Sequence, residues 1–338
     1  MKTKLAKYLF VLYLSVFLSE PVWSAEPATA LIGKDEWLFY RYEIATSNDD
    51  APINQSINLI GKFSKILSDH GTSLLVAMVP IKMRIYSEYL PDEVKIDEYM
   101  AGHYKQLLGA LNSGGVSTVD LNTAFMNDAH RKSDTPLFFR LDSHWTPTGA
   151  MTAAQAIKEE VGRSPVLQKL VDSTPAVAYS IKIANRKRAS KGRDLVNQLP
   201  ENSPVFAPEM VAQVNVVRAP SAQADLLGAQ AEPQIALMGS SYSKDWTGFS
   251  DALRFVFQRD VTSVAVSADQ GSWVGMESYL RDEAFQTNPP RLLIWELPER
   301  DMKAPPDYKF RETRYVMNNE EWLKRVSALV ASSKFRKP

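Results

Sequence analysis

Two short stretches of this chain carry residue types that can together activate a hydroxyl group. The first is FFRLDSHWTPTGA, residues 138–150, in which Asp142 stands two residues before His144. A carboxylate beside an imidazole fixes its tautomer and supports it as a base, and the two form the orienter and base of a nucleophilic triad. If the loop is extended, residues two apart point the same way and the carboxylate reaches the ring. The alternative for Asp-x-His alone is a surface histidine satisfied by a neighbouring aspartate. The second stretch is IALMGSSYS, residues 235–243, where Ser241 follows a short apolar run and Gly239. A serine at a tight strand-to-helix turn has its hydroxyl exposed, and the backbone N–H groups behind it can receive an oxyanion.

These residues need elements to hold them. Thr146 and Pro147 suit the N-cap and first position of a helix running to about Val161, so Asp142 and His144 sit on the loop entering it. Ile57, Ile60, Phe63, Ile66 and Leu67 recur at helical spacing within a predicted helix over 53–70. SLLVAMVP, residues 73–80, is a nearly continuous apolar run, the pattern of a strand covered on both faces. A second helix follows Asp97, and a strand follows at Val116 to Leu121. Ile235 to Gly239, Ser263 to Ser267 and Arg291 to Leu297 supply three more strands, with a helix from Met276 to Phe285. A C-terminal helix is expected over 319–331. Alternating strands and helices predict a doubly wound α/β fold with a parallel sheet of about five strands. Ser241 then lies at the C-terminal end of a parallel strand, where such sheets bind ligands.

Between the two chemical stretches, residues 164–234 are rich in proline and weakly periodic, which reads as an insertion with short strands. It carries a basic cluster, Lys182, Arg186, Lys187, Arg188, Lys191 and Arg193. A solvated surface explains such a cluster; Arg186, Lys187 and Arg188 are the candidates for gripping an anionic polymer. Glu296 and Arg300 near the end of the last strand face the same side and are read as an ion pair, with Arg300 and Tyr242 as further substrate-binding candidates.

The sequence has 338 residues and a formal net charge of +0. Neutrality argues against nucleic acid as the partner, because phosphate binding needs a basic excess. Cysteine is absent, so stability comes from a core rather than disulfides. No metal or cofactor is expected. Lys2, Lys4 and Lys7 precede an apolar run from Tyr8 to Leu18, the layout of a signal peptide cleaved after Ser24. The run is short for a membrane span, and an uncleaved inner-membrane anchor is the alternative. The expected organisation is a signal peptide at 1–24 and a single domain over 25–338, located in the periplasm.

GKDEWLFY, VPIKMRIYSEYLP, FFRLDSHWTPTGA, LMGSSYS and WELPER, in that order from Gly33 to Arg300, resemble the alginate O-acetyltransferase family of SGNH-hydrolase-like periplasmic proteins. In that family the histidine block precedes the serine, as here. The resemblance implies Ser241 as nucleophile, His144 as base and Asp142 as orienter. It implies an exported polysaccharide such as alginate as acceptor, and a membrane-bound O-acyltransferase as acetyl donor. The protein is then a monomer within a larger secretion complex. Where the family carries an asparagine and glycines, this chain reads SVAVSADQGSW; Gly271 matches, but no asparagine stands ready as an oxyanion donor. The sequence ends soon after WELPER, so substrate grip is expected from the main domain or from partners. A carbohydrate acetyl esterase with the same triad and a non-catalytic polysaccharide-binding scaffold are the other readings.

Overall fold

The structure is a computed structural model that describes residues 29–220, 233–309 and 312–334. The expected signal peptide lies outside them. No helix among the described residues is long and apolar enough to cross a membrane.

After an antiparallel pair, β1 (Ala30–Ile32) and β2 (Leu38–Tyr40), the centre is a five-stranded sheet built from β3 (Ser73–Val79), β4 (Ser117–Thr118), β7 (Ile235–Gly239), β8 (Val261–Ala265) and β9 (Leu292–Pro298). Its order is β4-β3-β9-β7-β8, and every neighbouring pair is parallel. The last strand in the chain is thus the middle one in space. Successive residues of a strand enter opposite cores, as the two-residue period requires. Leu75, Ala77, Leu237 and Ile294 face one core, with Ala150, Ala153, Ala154 and Phe249. Leu74, Val76, Met238 and Trp295 face the other, with Phe63, Leu107, Trp273 and Trp322. Burial on both faces is why these runs are apolar throughout.

Two departures from the sequence reading have local causes. The strand expected over Val116 to Leu121 shrinks to Ser117–Thr118 because Asp120 caps a helix over Leu121–Asn127, accepting from Thr123 N at 2.8 Å. The region after residue 163 begins with a helix, Pro165–Asp172, and then forms a long antiparallel ribbon rather than short strands. The ribbon pairs β5 (Tyr179–Ala189) with β6 (Met210–Arg218), its register broken between Ile183 and Lys187. In the segment joining β5 to β6, Leu195 and Phe206 join Ala30, Leu38 and Leu141 in a small third core. That cluster ties the insertion to the loop bearing Asp142.

Candidate active site

The loop before the helix Pro147–Arg163 is closed at its base by a bridge between Phe138 and Trp145, with Phe139 N donating to His144 O at 3.1 Å. Thr146 caps the helix, accepting from Gly149 N. Gly149 is required there because a Cβ would meet the Leu137 carbonyl at 2.1 Å. The loop is a compact turn rather than an extended strand. Asp142 Oδ1 accepts from both the backbone N–H of His144 (2.9 Å) and the ring Nδ1 (2.6 Å). An Asx turn, not alternation along an extended chain, brings the carboxylate to the imidazole.

Across the cleft, β7 delivers Gly239 into a 3-10 turn, Ser241–Ser243. A Cβ on Gly239 would stand 1.9 Å from Ser243 Oγ and 2.8 Å from Glu296 Oε2, so only glycine fits. The sharp turn places Ser241 Oγ 2.7 Å from His144 Nε2. Asp142, His144 and Ser241, singled out from two stretches far apart in the chain, therefore form one continuous line of hydrogen bonds. Ser241 N–H opens its turn, where the first amides have no partner within the turn. Gly271, the glycine matched to the family pattern, donates its N–H to Ser267 O at 3.2 Å.

Burial raises the Asp142 carboxyl, but the hydrogen bond and charge of His144, with the N–H groups of Asp194 and His144, outweigh it. They bring it down to about 2. Asp194, half-buried beside it, is pushed up by burial and by the charge of Asp142. Asp142, His144 and Asp194 each offer a possible metal-ligand atom within 4.8 Å of the others. The Asp142 and His144 atoms are already bonded to one another, so the cluster reads as a hydrogen-bonded unit.

Several supporting residues gave no signal in the sequence. Lys82 is completely buried, and its Nζ donates to the carbonyls of Leu38 (2.6 Å), Arg140 (2.9 Å) and Asp142 (3.0 Å). It locks the N-terminal strand to the Asp142 loop, and burial lowers its pKa to about 8. Glu209, in the segment joining the two ribbon strands, accepts from Arg140 N and Leu141 N at 2.9 and 3.0 Å. Trp246 presents its ring edge-on to His144, with centroids 5.1 Å apart.

Glu296 and Arg300 do not form an ion pair. Glu296 takes the Ser240 N–H and hydroxyl and the Ser243 hydroxyl, each at 2.8 Å. Arg300 donates to Tyr242 Oη at 3.1 Å and lies 3.7 Å from the buried Glu43. β9 ends at Pro298 and the chain enters a 3-10 turn, Glu299–Lys303, which sends the two side chains to different neighbours. Tyr242 is itself buried, its hydroxyl donating to Ser143 O at 2.5 Å.

A cavity of about 540 Å³ opens at Ser241 and His144, walled by Tyr40, Tyr42, Asp194, Arg300, Lys303 and Tyr308 among others. Arg186, Lys187 and Arg188 stand on the exposed ribbon, away from this wall. Lys187 instead borders a second cavity of about 580 Å³ and lies 3.6 Å from Asp134.

The sequence profile described as "SGNH hydrolase-like domain, acetyltransferase AlgX" matches residues 30–299. The chain belongs to this family. It is 32% identical over 313 residues to the probable alginate O-acetylase AlgJ of Pseudomonas putida, covering 90% of this chain and 78% of that protein. The Pseudomonas aeruginosa AlgJ is 30% identical over 295 residues, covering 82% and 71%. Among solved structures, the O-acetyltransferase domain of Pseudomonas putida AlgJ superposes with a TM-score of 0.73 at 27% identity. The match covers 89% of this chain and 99% of that domain. Pseudomonas aeruginosa AlgX shares the fold, with a TM-score of 0.67 at 23% identity over 90% of this chain and 67% of that one. As a member of the SGNH hydrolase-like acetyltransferase family, the chain shows the fold expected of it, a five-stranded parallel sheet flanked by helices.

Proposed function

We propose that this protein is a polysaccharide O-acetyltransferase in which Ser241 is the nucleophile, His144 the base and Asp142 the orienter. The observation that carries this reading is the unbroken line from Asp142 Oδ1 through His144 to Ser241 Oγ, with links of 2.6 and 2.7 Å, at the mouth of the cleft. His144 Nε2 takes the Ser241 proton as Oγ bonds to the acetyl carbonyl carbon. The donor's leaving group departs with that proton, leaving an acetyl ester on Ser241. An acceptor hydroxyl then gives its proton to His144 and attacks the ester; Ser241 Oγ recovers the proton as it leaves. The Ser241 N–H is placed to receive the developing oxyanion.

The acceptor we favour is an exported polysaccharide such as alginate, in keeping with the names of the relatives. Arg300 and Tyr242 remain the substrate-side candidates, Arg300 from the cleft wall and Tyr242 from behind it. Arg186, Lys187 and Arg188 are candidates for a more distant part of the polymer. A periplasmic site of action, reached by a cleaved signal peptide, fits this chemistry, with acetyl groups supplied by a membrane-bound O-acyltransferase inside a secretion complex. The test is acetyl transfer from a chromogenic acetyl ester to an oligosaccharide, with thermal unfolding measured in parallel. Ser241→Ala is expected to keep its melting temperature and lose both acetyl-enzyme and acetylated product. Full transfer by Ser241→Ala would overturn Ser241 as nucleophile, and polymer binding by a wild-type protein that transfers no acetyl would leave a polysaccharide-binding scaffold. Ester cleavage that yields only acetate with every oligosaccharide offered would make the enzyme an esterase.

A further inference from the structure

The sequence pattern gave no reason to notice Asp194, yet the insertion carries it to the triad-like cluster, where it makes more bonds than Asp142 needs to hold a histidine. Its Oδ1 accepts from Ser143 N at 2.7 Å and its Oδ2 from Ser143 Oγ at 2.5 Å. Its own N–H donates to Asp142 Oδ2 at 2.8 Å. That is the oxygen His144 leaves unused, so both oxygens of Asp142 are engaged. Asp194 Oδ2 also lies 3.6 Å from His144 Nδ1, close enough to act on an imidazolium charge without bonding to it. The close approach is built into the backbone: a Cβ at Gly192 would stand 3.2 Å from the Asp142 carboxyl group. Leu195, the next residue after Asp194, is fully buried beside Leu38 and Leu141 and anchors the segment.

We propose that Asp194 is a positioning residue for acyl transfer, clamping the Asp142–Ser143–His144 turn and adding a second negative charge beside the imidazolium formed during the reaction. The inference rests on the triad reading above. The insertion is then a working part of the site, because without it the turn loses three hydrogen bonds and a charge.

Three variants separate the two contributions. Asp194→Asn removes the charge but keeps an oxygen for Ser143 and the N–H for Asp142. Ser143→Ala removes the hydroxyl, with its bond to Asp194 and its 3.5 Å contact to His144 Nδ1, and keeps the charge. Gly192→Ala pushes the segment away from Asp142. Steady-state acetyl transfer is measured with Ser241→Ala as the inactive reference and wild-type melting temperature as the fold control. Asp194→Asn is expected to lower kcat roughly tenfold with KM for donor and acceptor unchanged, the scale of one lost charge interaction near a partly solvated site. Ser143→Ala is expected to lose less than Asp194→Asn, and Gly192→Ala to lose kcat as Asp194→Asn does. Three results would overturn the proposal: wild-type kcat in Asp194→Asn, a rise in acceptor KM alone, or a loss in Ser143→Ala as large as in Asp194→Asn. If Ser241→Ala is inactive and Asp194→Asn is not impaired, the triad stands and only this inference falls. If Ser241→Ala is active, the triad reading itself has failed.

Discussion

Two buried carboxylates are bonded to the Ser241 turn, Asp142 through His144 and Glu296 directly. Neither exposes more than 2% of its surface. Asp142 is brought down to about 2, while Glu296 is pushed up to about 7. Burial raises both, so the difference lies in their partners. Asp142 has a group that can become a cation, together with backbone N–H groups that stabilise only its charged form. Glu296 has one backbone N–H and two serine hydroxyls, and a hydroxyl can turn to accept from a protonated carboxyl as readily as it donates to an ionised one. Similar burial therefore produces an orienting anion in one place and a proton-holding brace in the other. The donor set, more than depth, decides which.

The contrast can be broken from the Asp142 side with the largest effect. Asp142→Asn keeps the side-chain shape but removes the charge and the preference for the working tautomer. Transfer is expected to fall by roughly 10⁴-fold, as in the serine-protease template, in a protein that still folds but melts lower at neutral pH because the charge of Asp142 no longer contributes. A loss below tenfold in a stopped assay would show that Asp142 is not the orienter.

The stability of the fold against pH sharpens the same comparison, with opposite signs. Asp142 has a lower pKa folded than unfolded, so its contribution is present above pH 3.8 and is lost as pH falls through about 2. Glu296 has a higher pKa folded than unfolded, so its contribution is full below pH 4.5 and is lost as pH rises through about 7. Glu296→Gln keeps the shape and an acceptor for Ser240 N–H. Chemical denaturation at intervals from pH 4.5 to 7 is expected to show wild type losing stability relative to this variant. Parallel curves would mean that Glu296 is ionised throughout. Transfer at neutral pH should change only a few-fold.

The smallest expected effect lies furthest from both carboxylates. Replacing Arg186, Lys187 and Arg188 together with alanine removes charge from an exposed ribbon, so stability should stay within about 0.5 kcal/mol of wild type. Binding of an oligouronate is expected to weaken, and its salt dependence to flatten. Unchanged binding across a salt series would assign the three side chains to a solvated surface.

The sequence by itself determined the sheet, because a strand covered on both faces must be almost entirely apolar, and SLLVAMV and LLIW show that directly. It also determined the two chemical turns. Thr146–Pro147 starts a helix by capping and Gly239 marks a tight turn after a strand, so the turns bearing Asp142, His144 and Ser241 were legible from local pattern, while their joint roles came from the family resemblance. The supporting groups were not. Lys82, Glu209 and Asp194 are bonded to the Asp142 loop from 51 to 69 residues away, and a charged residue that is buried by tertiary contacts looks in sequence like any exposed one. The same reason misled the pairing of Glu296 with Arg300, which are neighbours in sequence but are claimed by Ser240 and Ser243 on one side and by Tyr242 and Glu43 on the other. Short-range rules of capping and periodicity fix where a turn forms. Which buried charges meet there is decided only when distant segments pack, because the desolvation that forces each charge to find a partner exists only in the folded chain.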